Sequence, residues 1–138
     1  LVTTFRGTVL REHCDTAGYL TPRHYMGRVS DAIPNLIVQT SGQDRSTGGT
    51  GGAALEYRFV YRTPAREGDL LVLKSGLKSV SAKTYVWCHW LFDGESGECF
   101  ATAEAVAVAM DLATRKAIEI PNEMRKHLET LVVPGLSA

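Results

Sequence analysis

The chain has 138 residues, 15 Lys+Arg against 15 Asp+Glu, and a formal net charge of +0. That length supports one domain with a real core, and the even charge balance supplies no long-range field to gather nucleic acid or an anionic membrane. The hydrophobic fraction of 44% is ordinary for a globular protein, and no apolar run approaches the roughly 20 residues of a membrane-crossing helix.

Along the chain, Thr4–Arg11 reads as a strand, with Phe5, Thr8 and Val9 as strand formers. Thr21 and Pro22 then open a helix, Thr21 as N-cap and Pro22 at the first helical position. Met26, Val29, Ile33, Leu36 and Ile37 follow at helical spacing and form one apolar stripe. Pro34 lacks a backbone donor and crowds the carbonyl of Ser30, so a kink or a break is expected there. The segment Ser41–Gly52 (SGQDRSTGGTGG) reads as a flexible loop on its glycine content. The first residue is Leu1, so further sequence is expected to precede it.

Beyond the glycines the period changes to two. Leu55, Tyr57, Phe59 and Tyr61 alternate with Glu56, Arg58 and Arg62, the pattern of a half-buried strand. Pro64–Asp69 (PAREGD) is a turn, and Leu70–Val80 is a second alternating run. Ser81 and Ala82 make a tight connection to Thr84–Phe92; Asp93–Gly97 is another turn. Cys99–Met110 sets Ala101, Ala103, Ala105 and Ala107 on one face, which calls for something packed close against them. Pro121–Leu131 reads as a short final helix. A strand, a long helix and four strands joined by short turns imply an α+β domain over residues 1–138, an antiparallel meander curved around the helix.

His13-Cys14-Asp15-Thr16-Ala17-Gly18 lies between the first strand and the helix. Asp15 there is either part of an Asp-x-x-Gly turn or a functional carboxylate. A carboxylate at a helix N-terminus stays ionised, and the exposed N–H groups beside it polarise a carbonyl, the minimum for acyl hydrolysis. Zinc on His13, Cys14, Asp15 and His24 is disfavoured, because neighbours on an extended chain point to opposite faces; no metal is expected. Cys14 as nucleophile needs His13 or His24 as base, and burial as a small apolar side chain is the alternative. Gly49-Thr50-Gly51-Gly52-Ala53-Ala54 loosely fits a dinucleotide fingerprint but precedes a strand instead of following one. Neither a Gly-x-Ser-x-Gly elbow nor a Walker loop occurs, and no cofactor is expected. Cys14, Cys88 and Cys99 match no zinc spacing and read as reduced thiols of a cytoplasmic protein. Tyr85, Trp87, Trp90 and Phe92 read as core or subunit interface. Lys78 and Lys83 flank a hairpin, as solvated charges or as a phosphate-binding rim.

Asp15, Gly18 and Tyr25, with His24 near a position where Asn is frequent, resemble the 4-hydroxybenzoyl-CoA thioesterase family of the hot-dog superfamily. Phe59, Pro64, Gly68, Asp69 and Leu71 are similar to that family's strand and Pro…Gly-Asp turn, and Ala117-Ile118-Glu119-Ile120-Pro121 to its ending. The resemblance runs from about Thr4 to Met124 and implies a five-stranded antiparallel sheet around a central long helix. It also implies dimers joined sheet edge to edge, commonly paired into tetramers, with active sites at subunit interfaces. On this reading the chain hydrolyses an acyl- or aroyl-CoA, Asp15 acting as nucleophile or general base. Gly18, Arg23, His24 and Tyr25 form the turn and helix start around it, and Tyr57 and Phe59 contact the substrate. Two departures bear on it: Pro22 has no N–H where some relatives supply one, which shifts the polarising donor to Arg23 or His24. A basic cluster that grips nucleotide phosphates in some relatives is reduced here to Lys83, which leaves an acyl carrier protein as an alternative donor. Two further functions compete. A hot-dog enoyl-thioester hydratase or dehydratase requires a His base, but His13, His24, His89 and His127 sit outside the expected contexts. A non-catalytic acyl-binding protein would lack the carboxylate that Asp15 provides.

Overall fold

A computed structural model describes residues 1–41 and 50–138. The elements are β1 (Val2–Thr8), α1 (Pro22–Ser41), β2 (Thr50–Tyr61), β3 (Leu70–Val80), β4 (Thr84–Asp93), β5 (Cys99–Asp111), a short β6 (Lys116–Ile118) and α2 (Asn122–Leu131). The sheet is antiparallel throughout, in the order β1-β3-β4-β5-β2. β6 takes up the side of β5 that β4 leaves: Thr84 faces Val108, and Ile118 faces Ala109. The five expected long strands are present, and β6 is an addition to them.

Helix α1 covers the inner face of this sheet. Its buried stripe is Tyr25, Val29, Ala32 and Leu36, at steps of four, three and four. Against it lie Leu73, Leu91, Ala101 and Ala103, with Tyr57 and Phe59 partly buried beside them. Each fully buried Leu or Val here contributes about 1.5–3 kcal/mol by leaving water. The alanines of β5 make room for the aromatic side chains of β2 that face them in register, Tyr57 against Ala105 and Phe59 against Ala103. Two amides tie α1 to β1: Asn35 Nδ2 donates to the Thr4 carbonyl at 3.0 Å and Gln39 Nε2 to the Thr3 carbonyl at 2.7 Å. Helix α2 covers the other end of the inner face, with Leu128 packed among Leu77, Tyr85 and Ile120.

Several sequence expectations are corrected. The apolar stripe of α1 is turned by about one position: Val29 and Leu36 are buried, but Tyr25 and Ala32 complete the stripe, while Met26 and Ile33 are half-buried and Ile37 is 37% exposed. Pro34 does not break α1, which runs on to Ser41. Ser30 is exposed, which lets solvent take the carbonyl that Pro34 cannot. β1 ends at Thr8 instead of Arg11, because the Val9 N–H turns to the Asp69 carbonyl. Of the loop expected over 41–52, residues 42–49 lie outside the described residues, whereas Ser41 belongs to α1 and Thr50–Gly52 pair with Asp111–Ala109 of β5. The largest correction concerns topology. Only β3, β4 and β5 form a meander; β2 is an edge strand on β5, and residues 62–69 cross from there to the β1–β3 side. The turn signal of Pro64, Gly68 and Asp69 is real, but the segment is long enough to traverse the sheet end.

One polar group is sunk into the inner face. His89 is 0% exposed, as is Ser75 opposite it. His89 Nδ1 lies 2.7 Å from Ser75 Oγ, which lies 2.8 Å from Thr4 Oγ1. One arrangement places every proton: Nδ1–H donates to Ser75, Ser75 to Thr4, and Thr4 to the Leu73 carbonyl at 3.5 Å. It leaves Nε2, buried and without a partner, as a bare lone pair rather than a costlier unpaired N–H. Burial pulls the His89 imidazole down from 6.5 to about 4. The unfolded chain therefore takes up this proton near pH 6.5, whereas the folded chain resists until about 4. Stability is full above that window and is lost as pH falls through it. Urea unfolding of wild type and His89→Leu across pH 4 to 7 checks this. The wild-type curve should fall relative to the variant's by up to about 1.4 kcal/mol per pH unit; parallel curves contradict it.

Candidate active site

The segment between β1 and α1 folds on itself around Asp15. The Gly18 N–H donates to the Asp15 carbonyl at 3.0 Å, and the Asp15 N–H to the Tyr19 carbonyl at 2.8 Å. Gly18 sits at φ 87°, where a Cβ would be strained. Asp15 Oδ1 accepts from the N–H groups of Ala17 at 2.9 Å and Tyr19 at 3.1 Å. Those bonds hold the carboxylate in one orientation. Oδ2 accepts no hydrogen bond among the described residues, and Asp15 is exposed. The turn and the presented carboxylate are thus the same structure: one oxygen builds the turn and the other faces out.

The crossing segment 62–69 clamps this loop. The Leu20 N–H donates to the Ala65 carbonyl at 2.8 Å, the Glu67 N–H to the Gly18 carbonyl at 3.0 Å, and the Gly68 N–H to the Val9 carbonyl at 2.9 Å. Asp69 Oδ2 steadies the clamp itself by accepting from the Arg66 N–H at 2.8 Å. Tyr25, in the first turn of α1, is only 4% exposed, and its hydroxyl accepts from the Ala65 N–H at 3.2 Å. No sequence signal marked Leu20, Ala65 or Glu67, because they act through backbone groups.

At the start of α1, Thr21 stands at the N-cap position, but its hydroxyl donates to the His13 carbonyl at 3.3 Å instead of capping the helix. The His24 N–H is spent on the Thr21 carbonyl at 2.9 Å, as is that of Tyr25 at 3.2 Å. Pro22 has no N–H. The Arg23 N–H remains, with no acceptor among the described residues. The His24 ring stacks on His13, centroids 4.0 Å apart and 15° from parallel. Burial, then His13, Arg23 and Arg28 nearby, lower the His24 pKa, against a smaller opposing pull from Glu12. Cys14 points back to the Leu10 carbonyl, and burial, then Glu67, Asp15 and Asp69, raise its pKa. A raised thiol is a poor nucleophile at neutral pH. No cluster of three or more His, Cys, Asp or Glu side chains able to hold a metal occurs among the described residues.

The remaining sequence candidates lie elsewhere. Tyr57 and Phe59 project from β2 into the inner-face core. Lys83 is exposed in the β3–β4 turn, beside Thr84, which pairs with Val108. The Asp15 loop lies near the other end of β5, beyond the Tyr61–Ala101 pair. Those seven residues of strand span about 23 Å, so Lys83 does not face the Asp15 of its own chain. Lys78 is committed to Glu104 at 2.7 Å.

A family model described as the thioesterase-like superfamily matches residues 9–128. The long-chain acyl-CoA thioesterase FadM of Escherichia coli (strain K12) is 33% identical over 72 residues, 52% of this chain and 54% of that protein. The match thus spans about half the length of this curated relative. YbaW, a probable thioesterase from Escherichia coli, superposes with a TM-score of 0.76 at 23% identity, over 94% of this chain and 98% of its own. A 1,4-dihydroxy-2-naphthoyl-CoA thioesterase from Synechocystis gives 0.77 at 19%, over 94% and 96%. A Staphylococcus aureus protein solved in complex with CoA gives 0.81 at 17%, over 99% and 89%. At these identities the structures show the fold, which is the hot-dog arrangement of a sheet wrapped on a central helix.

Tyr25→Phe tests the clamp. It leaves the Ala65 N–H buried without its acceptor, so urea unfolding should show a loss of about 1–3 kcal/mol. A change below about 0.5 kcal/mol, the scale of a neutral surface substitution, would remove the hydroxyl from the clamp.

Proposed function

We propose that this chain, which belongs to the thioesterase-like superfamily, hydrolyses the thioester bond of an acyl-CoA with Asp15 as its catalytic carboxylate. The observation that carries this reading is the half-occupied carboxylate: Oδ1 is locked by two backbone N–H groups while Oδ2 accepts none among the described residues. Oδ2 either attacks the carbonyl carbon or takes a proton from the attacking water. The Arg23 N–H, at the positive end of α1, donates to the developing oxyanion. The carbon–sulfur bond then breaks and the thiolate leaves and is protonated; on the general-base route this gives the acid directly, and on the nucleophilic route it gives an acyl–Asp15 anhydride that water hydrolyses to the acid and the free carboxylate. Gly18 shapes the turn, His24 with Arg23 frames the helix start, and Tyr25 keeps that start against the clamp. The name of FadM supports an acyl-CoA as substrate; an acyl carrier protein is the alternative thioester donor.

The site is completed by a second copy. Among the described residues β2 pairs with β5 alone, and Leu55 and Tyr61 on it are 64% and 50% exposed. An open apolar edge of this kind calls for a partner. Two β2 strands paired antiparallel about a two-fold axis bring the Tyr61 end of one copy to the Thr50 end of the other. The Asp15 end of one copy then meets the Lys83 end of its neighbour. Lys83 there offers charge to the phosphates of CoA, and Tyr57 and Phe59 line the acyl side from β2. A dimer, or a tetramer built from two of them, is the proposed assembly. Three unpaired thiols fit the reducing cytoplasm, and no described helix is long and apolar enough to cross a membrane.

Asp15→Asn keeps the shape and the two accepted N–H bonds but removes the charge. Thiol release from the best acyl-CoA should fall by about a hundredfold or more, with folding retained because the substitution is exposed. Turnover at the wild-type rate would reduce Asp15 to a turn residue.

A further inference from the structure

We infer that His13, held in a ring stack with His24, is the base that deprotonates water in the second half of the nucleophilic route. This rests on the thioesterase reading and names the residue that completes it. On that route Asp15 cannot activate the water. Its Oδ2 is then bonded to the acyl group, and its Oδ1 is held by the N–H groups of Ala17 and Tyr19. A second proton acceptor is needed on the same face.

The backbone puts His13 on that face. Cys14 and Leu20 form an antiparallel bridge. The Asp15 N–H closes it on one side by donating to the Tyr19 carbonyl, and the Thr21 N–H on the other by donating to the His13 carbonyl at 3.2 Å. Cys14 is extended, with φ −102° and ψ 157°, and Cys14 and Leu20 both pack against the core. Successive side chains on an extended chain point to opposite sides, so His13 and Asp15 share the outward side, about 7 Å apart along the chain. Spacings of about 6.5–9.5 Å leave room for a water between two groups that handle protons.

The stack fixes the plane of the ring. His24, in the first turn of α1, lies face to face with His13, centroids 4.0 Å apart and 15° from parallel. Neither ring has a hydrogen-bond partner among the described residues, so a ring nitrogen of His13 is open to a water. Glu12, Asp15, Arg23 and Arg28 are the charged groups around the pair. Burial, then His13, Arg23 and Arg28, hold His24 below the ordinary histidine range, against the pull of Glu12. His24 therefore stays neutral at neutral pH and leaves the uptake of a proton to His13.

In the step itself the water oxygen attacks the acyl carbon of the anhydride, and one water proton passes to the His13 ring. The bond from that carbon to Asp15 Oδ2 breaks. The acid and the free carboxylate are released, and His13 returns its proton to solvent.

The test follows thiol release and intact-protein mass after rapid mixing with excess acyl-CoA. His13→Gln should release one thiol per site in a burst and gain the mass of one acyl group. It should then turn over about tenfold or more below wild type. Imidazole added to the buffer should restore turnover of His13→Ala, a rescue that a purely structural histidine does not show. His24→Phe keeps a ring in the stack and should keep kcat, whereas His24→Ala should accumulate acyl-enzyme. His13→Gln turning over at the wild-type rate, or slowed with neither burst nor acyl mass, overturns the inference. The wild type gives a readout that needs no variant. Quenched at steady state, its acyl-enzyme fraction should rise as the pH falls from about 8 to about 5.5, because a protonated His13 accepts no proton; a flat fraction overturns the inference. Either overturning result in a protein that releases thiol ends this role alone. No thiol release from any acyl-CoA by the wild type ends the thioesterase reading with it.

Discussion

The backbone from Arg62 to Asp69 crosses the end of the sheet, and the position of Asp15 depends on it. This segment touches β5 through the Phe100 carbonyl, the Asp15 loop through Ala65 and Glu67, and Val9, just past β1, through Asp69 and Gly68. The seven residues from Cys14 to Leu20 have few side chains to bury, so these bonds, added to those within the loop, fix where it lies on the sheet end. Backbone bonds from Leu20 and Gly18, with Tyr25 beneath, turn the loop into part of the sheet end. A site on a loop is precise only when its supporting shell is rigid, and here the support is the chain crossing below it.

The same geometry reconciles two readings of Asp15 that compete at the level of sequence. A carboxylate that builds an Asp-x-x-Gly turn spends acceptor capacity on its own backbone. It has two oxygens, and the turn uses one. The bonds that make it structural also give the other oxygen a fixed aim, the preorganisation that the proposed catalytic role requires. The arrangement of donors at α1 follows similar logic. Pro22 removes one N–H and Thr21 consumes those of His24 and Tyr25, which leaves the Arg23 N–H open for the proposed role.

Much of this architecture was legible from period alone. Leu70–Val80 matches β3 as read, because alternation over eleven residues is unambiguous and both flanking turns carry strong signals. The pair Thr21-Pro22 marked the start of α1 for the same local reason. What was hidden depends on distant partners. That β2 pairs with β5 rather than β3 is not written in either strand, since a turn signal does not say how far the chain travels before it pairs again. The Thr4–Ser75–His89 chain requires the register of three strands. The stripe of α1 was displaced by one position because Tyr25 and Ala32 face the sheet for reasons of hydroxyl bonding and close packing that hydrophobicity does not rank. Asp15 is singled out as the candidate carboxylate through the resemblance carried by Asp15, Gly18 and Tyr25. The turn chemistry alone would have left it a turn.

The proposed mechanism requires a thioester carbonyl held between Asp15 and the start of α1. A crystal structure with a non-cleavable acyl-CoA analogue, a ketone with a methylene in place of the sulfur, tests it most directly. The analogue's carbonyl carbon should lie within about 3–3.5 Å of Asp15 Oδ2, and its oxygen about 2.7–3.1 Å from the Arg23 backbone nitrogen. An analogue bound with its carbonyl away from both groups, while Asp15 keeps its bonds to Ala17 and Tyr19, would contradict it.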